Sequence, residues 1–435
     1  MNHTADAVVV GAGVIGSSTA LELARAGLRV IVVDRLNGPG QGSTSASSAV
    51  VRFNYSTFPS TAAAWEAKHC WDKWDDHLGM IDPVGMAHFK RTGMVFLDVD
   101  VAPSNKVVPL FERAGIPHEI WDSAMLEQQV PGLDTGQFWP PRTLDDELFG
   151  AEPTARLGAL WTPDAGFVDD PMLAAVNLAN AARSAGAEFM FKQQVVAVRQ
   201  SDGRVAGVDL ADGGRIDAPI VVNVAGPWSS ALNQLAGIGD DFTITTRPMR
   251  QEVHYVTAPP GFNHPDQPGP VIADLDLGTY MRGAPGDGFY VGGTEPECDE
   301  MQWLDDPDEA DLNPTRALFD AQVTRAARRF GDLGVPSKPR GIVGVYDVSS
   351  DWAPIYDRSS LGGFYVAIGT SGNQFKTAPV AGRFMAAIVT AVEGGRDHDA
   401  DPVQYRGEHT GLDVDLGAFS RKRTINADSS GTVMG

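Results

Sequence analysis

The chain has 435 residues, of which 43% are hydrophobic and 21% charged, close to the averages for globular proteins. Its 34 basic and 56 acidic residues give a formal net charge of −22 at pH 7, which argues against nucleic acid or an anionic membrane surface as the main partner. The same charge does not exclude a small anionic substrate, which needs only one or two local cations. A chain of this length predicts roughly two or three domains.

The beginning of the chain and its cysteines carry information about compartment. The first residues form neither a basic n-region nor an apolar h-region, and no run of about 18 uncharged apolar residues follows, so neither a signal peptide nor a membrane span is predicted. Cys70 and Cys298 are too few for a disulfide framework or a cysteine-rich metal site, and they favour a reducing compartment. We therefore expect a cytoplasmic protein, with its oligomeric state left open.

The first predicted unit is a strand, a helix and a second strand. Ala7–Val10 is a short apolar run typical of a buried parallel strand, and residues 29–33 form a similar run that ends at Asp34. Between them, Gly11, Gly13 and Gly16 have the spacing of the dinucleotide-binding fingerprint, and a helical pattern continues from there to about residue 27.

Each residue of this fingerprint has a physical role. Gly11 permits a tight turn, Gly13 lets the backbone approach a pyrophosphate, and Gly16 lets the helix pack closely on the strand. The helix N-terminus offers unpaired N–H groups to the phosphates, and Asp34 can accept hydrogen bonds from the adenosine ribose. The pattern alone does not distinguish FAD from NAD, although Asp34 disfavours the 2′-phosphate of NADP.

The middle of the chain alternates between helical and strand-like stretches. A helix is predicted over residues 59–79, where its tryptophans pack in the core, and another begins at Asp170 with Pro171 in its first turn. A buried strand over residues 220–224 leads into a small-residue turn that lets the backbone approach a ligand. The acidic segment 299–311 is interpreted as a solvated face and not as a metal site.

The last informative stretch is a strand over residues 363–369, a polar glycine turn over residues 370–376, and a helix to about Val392. This arrangement predicts a second helix start that can stabilise an anion, far from the first in sequence. The remaining residues, 393–435, are interpreted as a polar tail in which the basic run Arg421 to Arg423 is solvated.

Four blocks in this order resemble one family over nearly the whole chain: Val8–Asp34, Gly42–Arg52, Val221–Trp228 and Gly344–Lys376 with the helix after it. On these blocks, the chain is identified as a member of the D-amino-acid oxidase superfamily of flavoproteins. It is most similar to the branch that contains sarcosine oxidase, dimethylglycine dehydrogenase and glycine oxidase. The last block is the most specific of the four.

The resemblance implies FAD as the cofactor and an α/β fold. A Rossmann-type FAD-binding domain with a doubly wound parallel sheet would be assembled from residues 1–85, 150–236 and 340–400. A substrate domain with a mostly antiparallel sheet and helices would comprise residues 86–149 and 237–339, followed by a tail over residues 401–435.

The implied reaction is oxidation of the C–N bond of a small amino acid or N-methyl amino acid. Hydride is transferred to flavin N5, the imine is hydrolysed, and oxygen or another acceptor takes the electrons. Arg52 matches a family arginine near the flavin face and the substrate, and Lys376 matches a family lysine that holds the substrate carboxylate. The two cations would orient the amino acid, and Tyr280, Arg282 and His254 are further candidates for substrate contact. The resemblance and the fingerprint together give a set of expected FAD contacts: Gly11, Gly13, Val14, Ile15, Gly16, Asp34, Arg35, Ser43, Thr44, Val195, Ala225, Gly226, Trp228, Gly344, Gly372, Asn373, Gln374, Phe375 and Lys376.

The sequence departs from the family pattern at four positions. Gly344 and Ala46 stand where relatives carry the cysteine or histidine that tethers flavin, so non-covalent FAD is expected. Tyr290 replaces a lysine that promotes reaction with oxygen, and Thr294 replaces a substrate-side histidine. A D-amino-acid or opine dehydrogenase with a non-oxygen electron acceptor therefore remains an alternative. A second alternative is an FAD-fold assembly protein without turnover.

Overall fold

The computed structural model describes residues 2–264, 268–426 and 429–433. Helices and strands in this part of the chain are numbered in chain order. The α-helices are α1 (Val14–Arg25), α2 (Phe58–Asp72), α3 (Trp74–Leu78), α4 (Ser104–Ala114), α5 (Ser123–Gln129), α6 (Pro171–Ser184), α7 (Ser229–Leu235), α8 (Arg316–Arg329) and α9 (Ala378–Glu393). Short 3-10 helices cover Gly226–Trp228, Pro307–Glu309 and Leu416–Phe419.

The strands fall into five sheets. In chain order they are β1 (Asn2–Thr4), β2 (Ala7–Val10), β3 (Val30–Asp34), β4 (Val50–Val51), β5 (Phe89–Lys90), β6 (Met94–Leu97), β7 (Glu119–Trp121), β8 (Ala159–Thr162), β9 (Gly166–Val168), β10 (Glu188–Phe191), β11 (Val195–Ser201), β12 (Arg204–Leu210), β13 (Arg215–Asp217), β14 (Ile220–Asn223), β15 (Thr246–Thr257), β16 (Val271–Asp274), β17 (Thr279–Gly283), β18 (Gly288–Gly293), β19 (Gln302–Trp303), β20 (Gly341–Ser349), β21 (Ile355–Arg358), β22 (Phe364–Ile368), β23 (Gln404–Arg406) and β24 (Asp413–Asp415).

The first sheet is parallel except at one edge, with the strand order β10-β3-β2-β14-β22-β21. Both of its faces are covered, as continuous apolar strands require. On β2, Val9 joins the core that contains Leu21 of α1 and Phe384 of α9. Its neighbour Val8 points the other way, into the core shared with Val208 of β12. The sheet is therefore packed between helices and the four-stranded sheet β1-β13-β12-β11.

The second large sheet has the order β19-β15-β18-β17-β16-β6-β8-β7, and β20 also pairs with β15. All of its pairings are antiparallel except β16 with β6. Two smaller sheets, β4-β9-β5 and β23-β24, complete the set. The predicted fold class, α/β with a Rossmann-type parallel sheet and a mostly antiparallel second sheet, is confirmed.

Two sequence-based expectations are wrong in detail. The helix predicted over residues 59–79 is divided into α2 and α3, because Lys73 leaves helical geometry at φ −124° and ψ 59°. The residues predicted as a polar tail form β23, β24 and a 3-10 helix, with Leu416 and Phe419 in the core. The Trp65, Trp71 and Trp74 side chains are buried in the same core, as predicted.

The basic run in that last segment is also less solvated than the sequence suggests. Arg421 is buried and contacts Asp241, Asp357 and Asp399, while Arg423 contacts Asp351. Sequence distance hid these partners, since they lie from 22 to 180 residues away along the chain. Both cysteines are free, and no helix among the described residues combines the length and apolarity needed to cross a membrane.

Candidate active site

A cavity of about 560 Å³ lies at the carboxyl ends of β2, β3 and β14. Ligands bind at this edge in open parallel sheets, because the turns there expose backbone N–H groups and helix starts. Most of the predicted cofactor contacts line it: Gly11, Gly13, Val14, Ile15, Gly16, Asp34, Arg35, Ser43, Thr44, Val195, Ala225, Gly226, Trp228, Gly372, Gln374 and Phe375.

The three fingerprint glycines are required for three different reasons. Gly11 has φ +112°, and a Cβ there would lie 2.3 Å from the Val224 carbonyl oxygen. A Cβ on Gly16 would lie 2.0 Å from the Gly11 carbonyl oxygen, so close packing of α1 against the turn excludes any side chain. On Gly13, a Cβ would meet only the Thr44 Oγ1 atom, at 3.3 Å, so Gly13 keeps the approach to the helix start open.

The start of α1 presents donors to this cavity. The Val14 N–H donates to Thr44 Oγ1 at 3.1 Å, whereas the N–H groups of Gly13 and Ile15 have no acceptor among the described residues. A helix N-terminus with free N–H groups attracts negative charge. Ser43, beside Thr44, donates its hydroxyl to the Val345 carbonyl at 2.6 Å and so holds the loop over the cavity.

The adenosine end of the cavity contains a carboxylate and an aromatic ring. Asp34 Oδ2 accepts from the Ala12 N–H at 2.7 Å, which fixes the carboxylate at the end of β3. Arg35 lies over the Trp228 ring at 4.2 Å and pairs with Asp308, which also accepts from Trp228 Nε1 at 2.9 Å. Asp308 belongs to the acidic segment predicted as a solvated face, and this pairing lowers its pKa.

The opposite end of the cavity is formed by the turn before α9. Gly372 has φ +68°, and a Cβ there would lie 2.3 Å from the Tyr346 ring, so only glycine allows that ring to cover the turn. The N–H groups of Gln374 and Phe375 have no acceptor among the described residues. Phe375 itself is stacked on Trp71 at 5.4 Å. The turn is thus rigid and offers free donors to a ligand carbonyl.

These features fit an FAD molecule. The free donors at α1 suit its pyrophosphate, Asp34 suits its ribose, and the free donors of the second turn suit a flavin carbonyl. Gly344, a predicted FAD contact, does not line the cavity. A Cβ on Gly344 would lie 2.8 Å from the Ala46 Cβ, so these two small residues face each other.

A smaller cavity of about 50 Å³ adjoins the first. The two share five lining residues: Ser47, Ser48, Tyr346, Gly372 and Phe375. The small cavity also takes in the predicted residues Arg52, Tyr280, Asn373 and Lys376, together with Val433 from the end of the described chain. The structure therefore brings together, beside the flavin end of the large cavity, most of the residues predicted to contact substrate.

The two cations of the small cavity are held by neutral groups. Arg52 donates from Nη2 to the Val433 carbonyl at 2.7 Å and from Nη1 to the Asn54 carbonyl. Lys376 Nζ donates to the Tyr55 hydroxyl at 3.0 Å and to the Asn373 carbonyl. Burial lowers the pKa of both Arg52 and Lys376, and for Lys376 the charge of Arg52 lowers it further. Both cations therefore gain from an added anion.

Arg52 and Lys376 differ from most other buried cations of the described chain, because no carboxylate pairs with them. The described part of the chain buries eight Lys and Arg residues, and five of them contact carboxylates within 4 Å: Lys68, Arg250, Arg325, Arg329 and Arg421. The three that have no such partner there are Arg52, Arg282 and Lys376. Leaving a buried charge without a counter-ion is costly, so this exception indicates a binding place for an anion.

The remaining predicted residues divide into two groups. Tyr280 lines the small cavity and donates its hydroxyl to Ser48 at 3.0 Å. Arg282, two residues further along β17, lies over the Phe167 ring at 3.9 Å and the Tyr290 ring at 4.8 Å, and burial lowers its pKa to about 10. It lies beside this group without lining either cavity.

His254 does not reach either cavity. Alternation along β15 turns Val253 toward the large cavity, while His254 packs on Phe319 of α8 and lies 3.7 Å from Glu252. Burial lowers its pKa to about 4, so it is neutral near pH 7. The structure thus contradicts a substrate contact for His254.

Three residues of the site were not predicted from the sequence. Tyr55 connects Lys376 to Asn373, since its hydroxyl donates to the Asn373 carbonyl at 2.9 Å. Val433 lines the small cavity, and its N–H donates to Glu295 at 2.7 Å. Tyr55 lies just after the Gly42–Arg52 block and Glu295 beside Thr294, so only proximity to motif positions could have indicated them.

Comparison with known proteins agrees with this geometry. A protein-family model described as DAO: FAD dependent oxidoreductase matches residues 6–388. The chain is 24% identical to FAD-dependent oxidoreductase domain-containing protein 1 of Bos taurus, over 88% of this chain and 81% of that protein. It is also 24% identical to sarcosine oxidase subunit beta of Rhodobacter capsulatus, over 88% of this chain and 84% of that protein.

Among solved structures, the fold resembles L-proline dehydrogenase from P. horikoshii, with a TM-score of 0.74 and 22% identity. The match covers 95% of this chain and 100% of that chain. At this identity the likeness concerns the fold.

Proposed function

This chain belongs to the DAO family of FAD-dependent oxidoreductases, and on that basis we propose that it oxidises the C–N bond of a small amino acid or N-methyl amino acid. The observation that carries the proposal is the set of buried cations without carboxylate partners in the described structure, Arg52 and Lys376 above all, beside the flavin end of the large cavity. A substrate carboxylate would supply the missing charge.

Four residues in or beside the small cavity have proposed roles. Arg52 and Lys376 bind the carboxylate, and Tyr55 fixes the Lys376 ammonium through a 3.0 Å hydrogen bond. The Tyr280 hydroxyl, held by Ser48, borders the same space. Bound FAD would supply the acceptor for the hydride equivalent on the carbon beside nitrogen, and the imine product would be hydrolysed in water. The protein supplies position, charge and exclusion of water.

The size of the small cavity and the names of two relatives narrow the substrate class. The small cavity has a volume of about 50 Å³ with Val433 in its lining, so it accommodates only a small side chain unless Val433 moves. One relative is named for sarcosine and another for L-proline, both of which carry a secondary amine beside a carboxylate. A secondary or primary amino acid of this size is therefore the first class to test.

The electron acceptor is a separate part of the proposal. Tyr290 stands where relatives carry an oxygen-activating lysine, which favours an acceptor other than oxygen, as in a D-amino-acid or opine dehydrogenase. Arg282, 4.8 Å from the Tyr290 ring, is a cation beside this position that could offer the charge that oxygen reduction needs. Oxygen therefore stays a candidate acceptor.

The test is reduction of the bound flavin without air. Sarcosine, glycine, L-proline and a panel of D-amino acids are added one at a time, and the long-wavelength flavin band is followed. Bleaching by one of them supports the proposal, and subsequent mixing with oxygen or with a dye identifies the acceptor. A flavin that no amino acid of this panel bleaches would contradict turnover of small amino acids and favour an assembly protein of the same fold.

A further inference from the structure

The backbone of Val433, beside the small cavity, is hydrogen-bonded to a charged or acidic side chain at each end. The Val433 N–H donates to Glu295 Oε2 at 2.7 Å, and the Val433 carbonyl accepts from Arg52 Nη2, also at 2.7 Å. The Val433 side chain is buried and lines the small cavity itself. The backbone of one residue is thus held between an acidic and a basic side chain.

The backbone atoms of Val433 have the connectivity of an amino acid. Its nitrogen and its carbonyl carbon are attached to one Cα, as the amine and the carboxylate are in a free α-amino acid. The acidic side chain contacts the nitrogen end and the cation contacts the carbonyl end, which is the order that suits an ammonium group and a carboxylate. A free amino acid would satisfy both side chains with full charges, whereas Val433 offers only dipoles.

Glu295 has the properties expected of a residue that binds a cation. Its backbone has φ +50°, in the left-handed region that favours glycine, and strain of this kind persists where surrounding structure enforces it, often at ligand sites. Gln251 donates to Oε1 at 3.0 Å, and no Lys, Arg or His of the described chain lies within 4 Å of the carboxylate. Loss of hydration raises its pKa to about 8.

We propose that Glu295 binds the nitrogen of the amino-acid substrate while Arg52 binds its carboxylate, in the place that the Val433 backbone holds until substrate displaces it. The inference rests on the proposed function and deepens it. It restricts the substrate to zwitterionic α-amino acids with at least one N–H, and it assigns discrimination against carboxylates without an amine to Glu295. It also makes residues 429–433 a competitor of the substrate.

The test compares Glu295→Gln with Glu297→Gln in the full-length, FAD-loaded protein. A glutamine at 295 keeps an acceptor for the Val433 N–H, and Glu297 is an exposed residue two positions away, so its variant is a matched control for the change of charge. Sarcosine and acetate are titrated into each protein without air, and dissociation constants are read from the flavin spectrum. Acetate probes the carboxylate site alone.

We expect Glu295→Gln to weaken sarcosine binding roughly tenfold to a hundredfold and to leave acetate binding within about twofold. KM for sarcosine should rise by the same factor, and Glu297→Gln should match wild type for both ligands. Equal losses for both ligands, or unchanged sarcosine binding, would overturn the inference while wild-type turnover of an amino acid upheld the proposed function. If wild type bound neither ligand and no amino acid of the panel bleached its flavin, the proposed function itself would fail.

A chain ending at residue 428 tests the displacement. Removing Val433 should tighten binding of acetate and of sarcosine, because neither has to replace a backbone hydrogen bond to Arg52. FAD content, measured by absorbance, should stay at the wild-type level, since none of residues 429–433 except Val433 lines either cavity. Weaker binding of both ligands at unchanged FAD content would show that the segment completes the site, and would refute its role as a competitor.

Discussion

Replacing Lys376 with methionine tests the anion site directly, because two consequences of the change have opposite signs. The substrate carboxylate would lose charge-assisted hydrogen bonds, each contributing about 1.5–3 kcal/mol, so the dissociation constant of a small carboxylate should rise roughly tenfold to 150-fold. The folded protein without ligand would lose a buried charge that has no counter-ion in the described structure. Its free energy of unfolding should therefore stay equal or increase.

The groups around Lys376 keep hydrogen-bond partners when the lysine is replaced by methionine. Its ammonium donates to the Asn373 carbonyl and to the Tyr55 hydroxyl. After the change, the Asn373 carbonyl still accepts from the Tyr55 hydroxyl at 2.9 Å, so no buried carbonyl is left without a donor. Methionine also has a similar length and fills the space of the lysine stem.

Lys68 provides the matched control. It is buried to the same degree, but it pairs with Asp72 at 2.7 Å and with Asp164 at 3.1 Å. Lys68→Met should lower the melting temperature, because it removes the buried cation from Asp72 and Asp164 and leaves them only the exposed Arg91, at 3.2 and 3.3 Å. It should leave acetate binding unchanged. The assays are titration by the flavin spectrum and thermal unfolding of the flavin-free protein. The reasoning is refuted if Lys376→Met binds acetate as wild type does, or if its melting temperature falls as far as that of Lys68→Met.

Four further outcomes are expected. Acid or heat denaturation should release yellow flavin into the supernatant, since Gly344 and Ala46 offer no tether; colour that stays with the precipitate would contradict this. Gly13→Ala should lower FAD affinity without lowering the melting temperature of the flavin-free protein. Gly16→Ala should lower both, because its Cβ would lie 2.0 Å from a carbonyl oxygen. Equal melting temperatures for the two variants would count against these roles. Arg421→Met should cost about 3–5 kcal/mol of unfolding free energy, because the buried Asp357 carboxylate loses its arginine partner. Loss of the exposed Arg406–Asp413 pair in Arg406→Met should cost less than about 1 kcal/mol, and denaturant titration decides between a structural and a solvated role for this segment. The free energy of unfolding should fall as pH rises from about 4.5 to 8, because the native Glu295 carboxyl keeps its proton up to a pKa of about 8 and the unfolded one does not. Glu295→Gln should remove this contribution to the pH dependence. Parallel pH profiles for wild type and variant would disprove the assignment to Glu295.

The sequence was sufficient where function depends on neighbours along the chain. The turn between β2 and α1 needs Gly11, Gly13 and Gly16 within six residues, and this spacing is legible in the sequence. The clash that forbids a side chain at Gly16 is local, with the Gly11 carbonyl oxygen, whereas the clash at Gly11 is with the distant Val224 carbonyl oxygen. Arg52 and Lys376 lie far apart in sequence, and they could be predicted only because each belongs to a block that resembles a family. Their shared lack of carboxylate partners is a tertiary property, visible only in the folded chain.

Pairings between distant polar residues could not be predicted. Arg421 sits in a basic run that would be solvated if local composition decided, yet Asp241 and Asp357 bring it into the interior from far along the chain. Val433 reaches Arg52 across 381 positions. His254 failed for the opposite reason: its strand was predicted correctly, but which face of β15 meets the cavity depends on the packing of α8.

The net charge of −22 gains meaning from these pairings. A chain with 56 acidic residues has carboxylates available for every buried cation, and the structure pairs most of them. Leaving Arg52 and Lys376 unpaired is therefore a specific arrangement, whose cost a ligand anion offsets. The same acidic surface repels anions in solution, whereas a zwitterion carries no net charge to be repelled. An acidic protein with a buried cationic site is thus suited to amino acids whose amine neutralises their carboxylate, and a carboxyl at Glu295 would complete that complementarity.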